Sequence, residues 1–290
     1  MALITLTSAS GSPGVTTTVL GLALRWPRPV LVVEADPTGG SGILAGYFRG
    51  QVPHDGGLID LAMAHGEDDV AAELPHQLLD IPNSQAQLLP GSRSHTQSAG
   101  LSGLWPALLD VLRDLEATGQ DVLVDAGRLG LDGCPTSLVF GADATLLLTR
   151  STLPTVIAAT SWAGTLREQV DAAVTRTGVV VVGQGQPYSG REVASALGLP
   201  LVGSLPWDRR SAAVLSRGHG AFARRALLVA GLSALGEAIR SLASGGIARQ
   251  HPSASQWLAS PAPQELVTSD AVVDDPVRVG RVAQDLGGLQ

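Results

Sequence analysis

Residues Thr7–Trp26 read TSASGSPGVTTTVLGLALRW, and the interpretation of this stretch decides the fold. An alternating run from Ala2 to Thr7 leads into it and predicts a strand, and an apolar-periodic run from Thr16 to Arg25 predicts a helix. Between the two, Gly11 and Gly14 stand where a backbone must approach an anion closely and a Cβ would obstruct it. Thr16 and Thr17 fall in the first helical turn, where a hydroxyl can ligate Mg²⁺. The pattern is a phosphate-binding loop with one substitution: the position that ordinarily carries lysine is Val15.

No other lysine can replace the missing one, because all nineteen basic residues of the chain are arginine. A substitute charge must come from an arginine or from a partner molecule. The chain has 290 residues, 44% hydrophobic and 16% charged, with mean hydropathy +0.23. That suffices for one large α/β domain and a tail, or for two small domains. The single cysteine, Cys134, excludes an intramolecular disulfide framework and a cysteine-based zinc cage, and the six histidines show no metal-ligand spacing. The N-terminus has no basic leader and enters a strand at once, and no apolar run reaches the roughly 20 residues of a bilayer span. A cytoplasmic protein is expected.

Working outward, strand-like runs alternate with helical ones up to about residue 243. Strands are predicted at Leu3–Thr7, Val30–Glu34, Gln87–Leu89, Asp121–Asp125, Ala144–Thr149, Val179–Gly183 and Leu201–Ser204. Helices are predicted at Thr16–Arg25, Leu101–Thr118, Leu153–Thr177, Gly190–Leu197 and Ala221–Ser244. Runs such as DVLVD, ATLLLT and VVVV suit strands buried on both faces, so the fold class is α/β: a mostly parallel sheet with helices on both sides. This domain is expected to span residues 1–244. From Gly245 the composition turns to Pro, Ser, Ala and Gln without a period, which predicts a disordered tail over 245–290 with a short helix at Val277–Leu286.

Two further segments fall in register with the loop. In VLVVEADPTGG, Val30–Gly40, a buried strand ends on Asp36-Pro37 and a glycine-rich loop; in QDVLVDAG a buried strand ends on Asp125. In P-loop proteins the carboxylate ending such a strand holds Mg²⁺, and a loop carboxylate orients the attacking water. With these three segments the chain resembles the ParA/MinD family of deviant Walker-motif ATPases, over roughly residues 1–240. The resemblance sets Ser10 at the family's signature lysine, which reaches across the dimer, and Gly11, Ser12 and Gly14 at its glycines. Pro13 lies among them, Val15 falls on the second lysine, and Thr16 and Thr17 fall on the threonines. It implies a nucleotide site formed by Gly11, Ser12, Pro13, Gly14, Val15, Thr16 and Thr17. It also implies Mg²⁺ at Thr16 and Asp125, and a water-orienting role for Asp36. Where the family often reads adenine with Asn, this chain has Gly183 and Gln184, and the resemblance adds Gln184 to the nucleotide site as a hydrogen-bond partner of the base. Glu34 matches a less demanding acidic position.

Both lysines are gone, so the resemblance implies ATP and Mg²⁺ as cofactors while the residues argue against efficient self-sufficient hydrolysis. Backbone N–H groups and a helix dipole still favour an anion, by up to about 2 kcal/mol. Losing a charge-assisted bond to phosphate costs roughly 1.5–3 kcal/mol. Three functions stay open. The first is a switch or scaffold in positioning, partition or regulation, with weak or lost nucleotide binding, acting as a homodimer or through a protein partner. The second is an active ATPase in which Arg150, Arg209 or Arg210, or a partner, replaces lysine. The third is a nonspecific DNA binder: residues 1–206 carry ten arginines against 19 acids, but residues 207–249 carry seven against two. Its contacts would be Arg209, Arg210, Arg217, Arg224 and Arg225. The end DDPVRVGRVAQDLGGLQ lacks the basic, bulky apolar face of a membrane-binding helix, so no membrane attachment is expected.

Overall fold

Val30–Glu34 and Ala144–Thr149 are buried along their whole length, as strands covered on both faces must be. The computed structural model describes residues 2–10, 12–65, 70–169, 175–223 and 226–244. Gly11, Arg224, Arg225 and the expected tail with its helix at 277–286 lie outside these residues. The strands are β1 Leu3–Ser8, β2 Val30–Glu34, β3 Leu79–Asp80, β4 Ala86–Leu89, β5 Asp121–Arg128, β6 Ala144–Arg150, β7 Arg176–Val182 and β8 Leu201–Leu205. Their order across the sheet is β3-β4-β2-β5-β1-β6-β7-β8. Neighbours are parallel except β3, which is antiparallel to β4.

The helices are α1 Val15–Ala23, α2 Leu58–His65, α3 Val70–Glu73, α4 His95–Ala99, α5 Leu104–Asp114, α6 Thr136–Phe140, α7 Leu153–Gln169, α8 Gly190–Leu197, α9 Arg209–Arg217 and α10 Leu227–Ser244. Two core layers sandwich the sheet. On one face α2, α5, α6, α7 and α8 pack against Leu3, Val122, Val124 and Ala126. On the other face α1, α9 and α10 pack against Ile4, Leu6, Leu123 and Val180. The α1–α10 contact is close: a Cβ on Gly21 would lie 2.6 Å from Leu232 Cδ1. Although α10 is long and apolar enough to cross a membrane, with hydropathy 1.3, it buries Leu228, Leu232, Leu235, Gly236, Ile239 and Ala243 against this layer. It is a core helix.

Four expected boundaries are corrected. The helix foreseen to Thr177 does not reach it: α7 is described over Leu153–Gln169, and Arg176 and Thr177 pair with Ala144 and Thr145 of β6. The sheet contact overrides local helix propensity there. The helix foreseen from Ala221 begins at Leu227, and the preceding chain instead forms α9, capped by Asp208, whose Oδ1 accepts from Ser211 N at 3.0 Å. Gly218, at φ 61°, ends α9. Finally, α5 is shorter than Leu101–Thr118, closing in a 3₁₀ turn at Leu115–Thr118. The last strand residue of β7 is Val182, because Gly183 turns away at φ 73°.

Candidate functional site

The loop after β1 leaves the sheet between its neighbours β5 and β6, at the carboxyl ends of the strands, where open α/β sheets bind ligands. Gly14 closes the loop as the N-cap of α1 in left-handed geometry, φ 98° and ψ 39°. No side chain caps this helix. By helix geometry the first-turn N–H groups of Val15, Thr16 and Thr17 have no partner within α1, and they carry the positive end of its dipole. Ser12, at φ 57°, bends the loop towards them, and Pro13 is buried beneath it.

Two cavities meet on this loop and share Ser12, Pro13, Gly14 and Thr17. The first, about 420 Å³, is further lined by Val15, Thr16, Asp36, Thr38, Gly127 and Arg128. The second, about 320 Å³, is largely apolar: Val182, Leu205, Pro206, Trp207 and Leu228 form its wall, with Arg209 and Arg217 of α9 at its edge. The Arg150 guanidinium lies 3.7 Å over the Trp207 ring. A polar chamber on helix amides joined to an apolar chamber has the shape and chemistry of a phosphate and nucleoside site.

Of the carboxylates expected from the sequence, Asp36 lines the first cavity and Asp125 adjoins it through Thr16. Asp125 is wholly buried, and its Oδ1 accepts from Gly127 N at 3.0 Å. Burial pushes its pKa up to about 7; the Thr16 hydroxyl and the Gly127 N–H pull the other way, and the charges of Asp36 and Glu34 add to the rise. Its Oδ2 has no well-formed hydrogen bond. Asp36 Oδ1 accepts from Thr38 N at 2.9 Å and from Thr38 Oγ1 at 2.8 Å. The Asp36 carboxyl rests on Gly127, where a Cβ would lie 2.2 Å from its Cγ. Glu34 is different: it is buried, its Oε1 accepts from Ile43 N at 3.0 Å, and Ser41 Oγ donates to its Oε2. Burial raises its pKa. Glu34 holds the loop after β2 and does not line the cavity.

The remaining sequence-predicted residues separate. Val15 lines the cavity but is 7% exposed, packed into the α1 core layer. Gln184 lines neither chamber; it is exposed, and its Oε1 turns towards Gly190 at the start of α8. Arg209 and Arg217 face the apolar chamber, and Arg210 is exposed without lining either chamber. The sequence reading missed Trp207 and Arg128. An aromatic just before a capped helix is a weak signal for the first, and only sheet register reveals the second.

The site fits a Mg²⁺-nucleotide. The buried Asp125 carboxylate and the cavity-lining Thr16 hydroxyl beside it are a hard-oxygen donor pair, as Mg²⁺ requires. No group of three or more acidic, histidine or cysteine side chains among the described residues forms a metal cage. Phosphate and water would have to complete the shell, which is how nucleotide sites hold Mg²⁺.

No protein-family model matches the chain, and no curated protein matches it. Solved structures do match. One is the septum site-determining protein MinD of Pyrococcus horikoshii in complex with Mg-ADP, with TM-score 0.62, 20% identity, and coverage of 83% of this chain and 96% of that one. A ParA family ATPase of Chlorobium tepidum has TM-score 0.65 at 16% identity, with coverage of 81% and 97%. The MinC:MinD cell division complex of Aquifex aeolicus has TM-score 0.59 at 17% identity, with coverage of 86% and 98%. The fold is therefore that of the MinD and ParA ATPases.

Proposed function

We propose that this chain is a ParA/MinD-like switch protein of the cytoplasm that binds Mg²⁺-nucleotide weakly, through a backbone cradle without the P-loop lysine. We propose further that it acts through a second copy of itself or a protein partner in intracellular positioning, partition or regulation. The observation that carries the reading is a cavity walled by the uncapped first turn of α1 and lined by Thr16 and Asp36, with the wholly buried Asp125 carboxyl next to the Thr16 hydroxyl. The MinD bound to Mg-ADP and the MinC:MinD complex support nucleotide and partner by analogy of fold alone.

The residues divide the work as follows. The α1 amides and Gly14 hold phosphate; Thr16 and Asp125 offer oxygens to the cation; Asp36, fixed by Thr38, faces the cavity as a water-orienting carboxylate. The apolar chamber takes the nucleoside. Bound Mg²⁺ would neutralise phosphate charge and supply electrophilic assistance. Without a lysine the chain has less fixed positive charge to meet charge developing at the phosphate, so hydrolysis is slow and switching rests on occupancy.

The test is a pair of substitutions. Val15→Lys, at a position that borders the cavity although its valine packs into the core layer, is expected to tighten ATP binding about tenfold or more in a calorimetric titration. Thr16→Ala is expected to weaken Mg²⁺-ATP more than metal-free ATP. An unchanged affinity in the first, together with equal losses in the second, would count against the cradle and the cation site.

A further inference from the structure

We propose that Arg128 is the replacement cation of this site, its guanidinium binding the distal phosphate of a nucleoside triphosphate in place of the absent lysine. The inference rests on the nucleotide reading above and adds a residue to it. Along β5 the side chains of Val122, Val124 and Ala126 enter one core layer and Leu123 enters the other. Strict alternation would send residue 128 after Ala126, into the apolar layer under the helices. The pairing with β1 breaks that alternation. Leu6 stands opposite Asp125 and Ser8 opposite Arg128, so β5 uses one residue more than β1 over this step.

The extra residue is accommodated at Gly127, at φ 57°, whose carbonyl accepts from Thr7 Oγ1 at 3.2 Å and Ser8 Oγ at 3.3 Å. Leu129 N then donates to Ser8 O at 2.9 Å. A bulge of this kind inverts side-chain parity beyond it. The inversion is visible in the core: Leu129 takes the place in the apolar layer that alternation would have given to residue 128. Arg128 is turned to the opposite side, exposed at the cavity, across from Gly14, Thr16 and Thr38. Among the described residues it is the only basic one lining this cavity, and no ion pair engages it. A guanidinium at this cavity has five donors and matches a phosphate in two-point fashion.

The test measures ATP affinity of the full chain by calorimetry for the wild type, Arg128→Ala, Arg128→Lys and Arg128→Gln. The expected result is a ten- to hundredfold loss for Arg128→Ala. Lys should recover part of the loss, and Gln none of it. Because Arg128 is exposed, the melting temperature of each variant should stay at the wild-type value. If the wild type binds ATP and Arg128→Ala or Arg128→Gln binds within twofold of it, Arg128 is not the phosphate cation, and the cradle reading stands without it. If the wild type itself binds no ATP, the nucleotide reading falls and this inference falls with it.

Discussion

Replacing Asp125 with Asn is expected to make the ligand-free protein more stable at pH 8, by roughly 2–4 kcal/mol. Burial raises the Asp125 pKa from 3.8 in the unfolded chain to about 7 in the folded one. Between those values the folded state holds a proton that the unfolded state has released. Stability is therefore fully present below the unfolded value and is lost as pH rises through the folded one, up to about 4 kcal/mol in all. Glu34, also raised by burial, adds in the same direction. Asn keeps an acceptor for Gly127 N, offers a donor where Oδ2 is stranded, and does not titrate. Urea unfolding with EDTA at pH 5 and pH 8 should show the wild type weakening by about 3 kcal/mol and Asp125→Asn by clearly less. Equal slopes for the two proteins would show that Asp125 is not the group that titrates.

Gly127→Ala should act in the other direction, costing about 2–4 kcal/mol. At φ 57° a non-glycine residue pays a backbone strain of about 1–2 kcal/mol. The new methyl would also lie 2.2 Å from Asp36 Cγ and 2.4 Å from its Oδ1, so the carboxyl must leave its two bonds with Thr38. One substitution thus unseats Asp36 and disturbs the bulge that aims Arg128. A lowered melting temperature together with weakened ATP binding is the expected outcome. A variant that melts with the wild type would mean that the Gly127–Asp36 contact is not tight.

The fold was largely legible because buried parallel strands advertise themselves: VLVVE, DVLVD and VVVV can be little else. The short antiparallel β3 was not, since two residues, one of them exposed Asp80, carry no periodic signal. Helix α9 was hidden for a related reason. RRSAAVLSR is dominated by charge, and its start depends on Asp208 capping through Ser211. In the site, the glycine loop and Asp36 could be singled out because they follow recognisable strands, and Asp125 because it lies within one. Gln184 was expected at the base, but the turn at Gly183 points it towards α8. Arg128 could not be found from spacing, because a reader counting alternate residues along β5 would bury it. Only the slipped pairing with β1 shows where it points.

The central claim is that the α1 amides and the Asp125–Thr16 pair bind a Mg²⁺-nucleotide although lysine is absent. Calorimetric titration of ATP into the wild-type chain at low salt, with Mg²⁺ and then with EDTA, tests it most directly. The account predicts saturable binding of one ATP per chain, weak but measurable, and tighter with Mg²⁺ than without. Heat of dilution alone under both conditions, or binding indifferent to Mg²⁺, would contradict it.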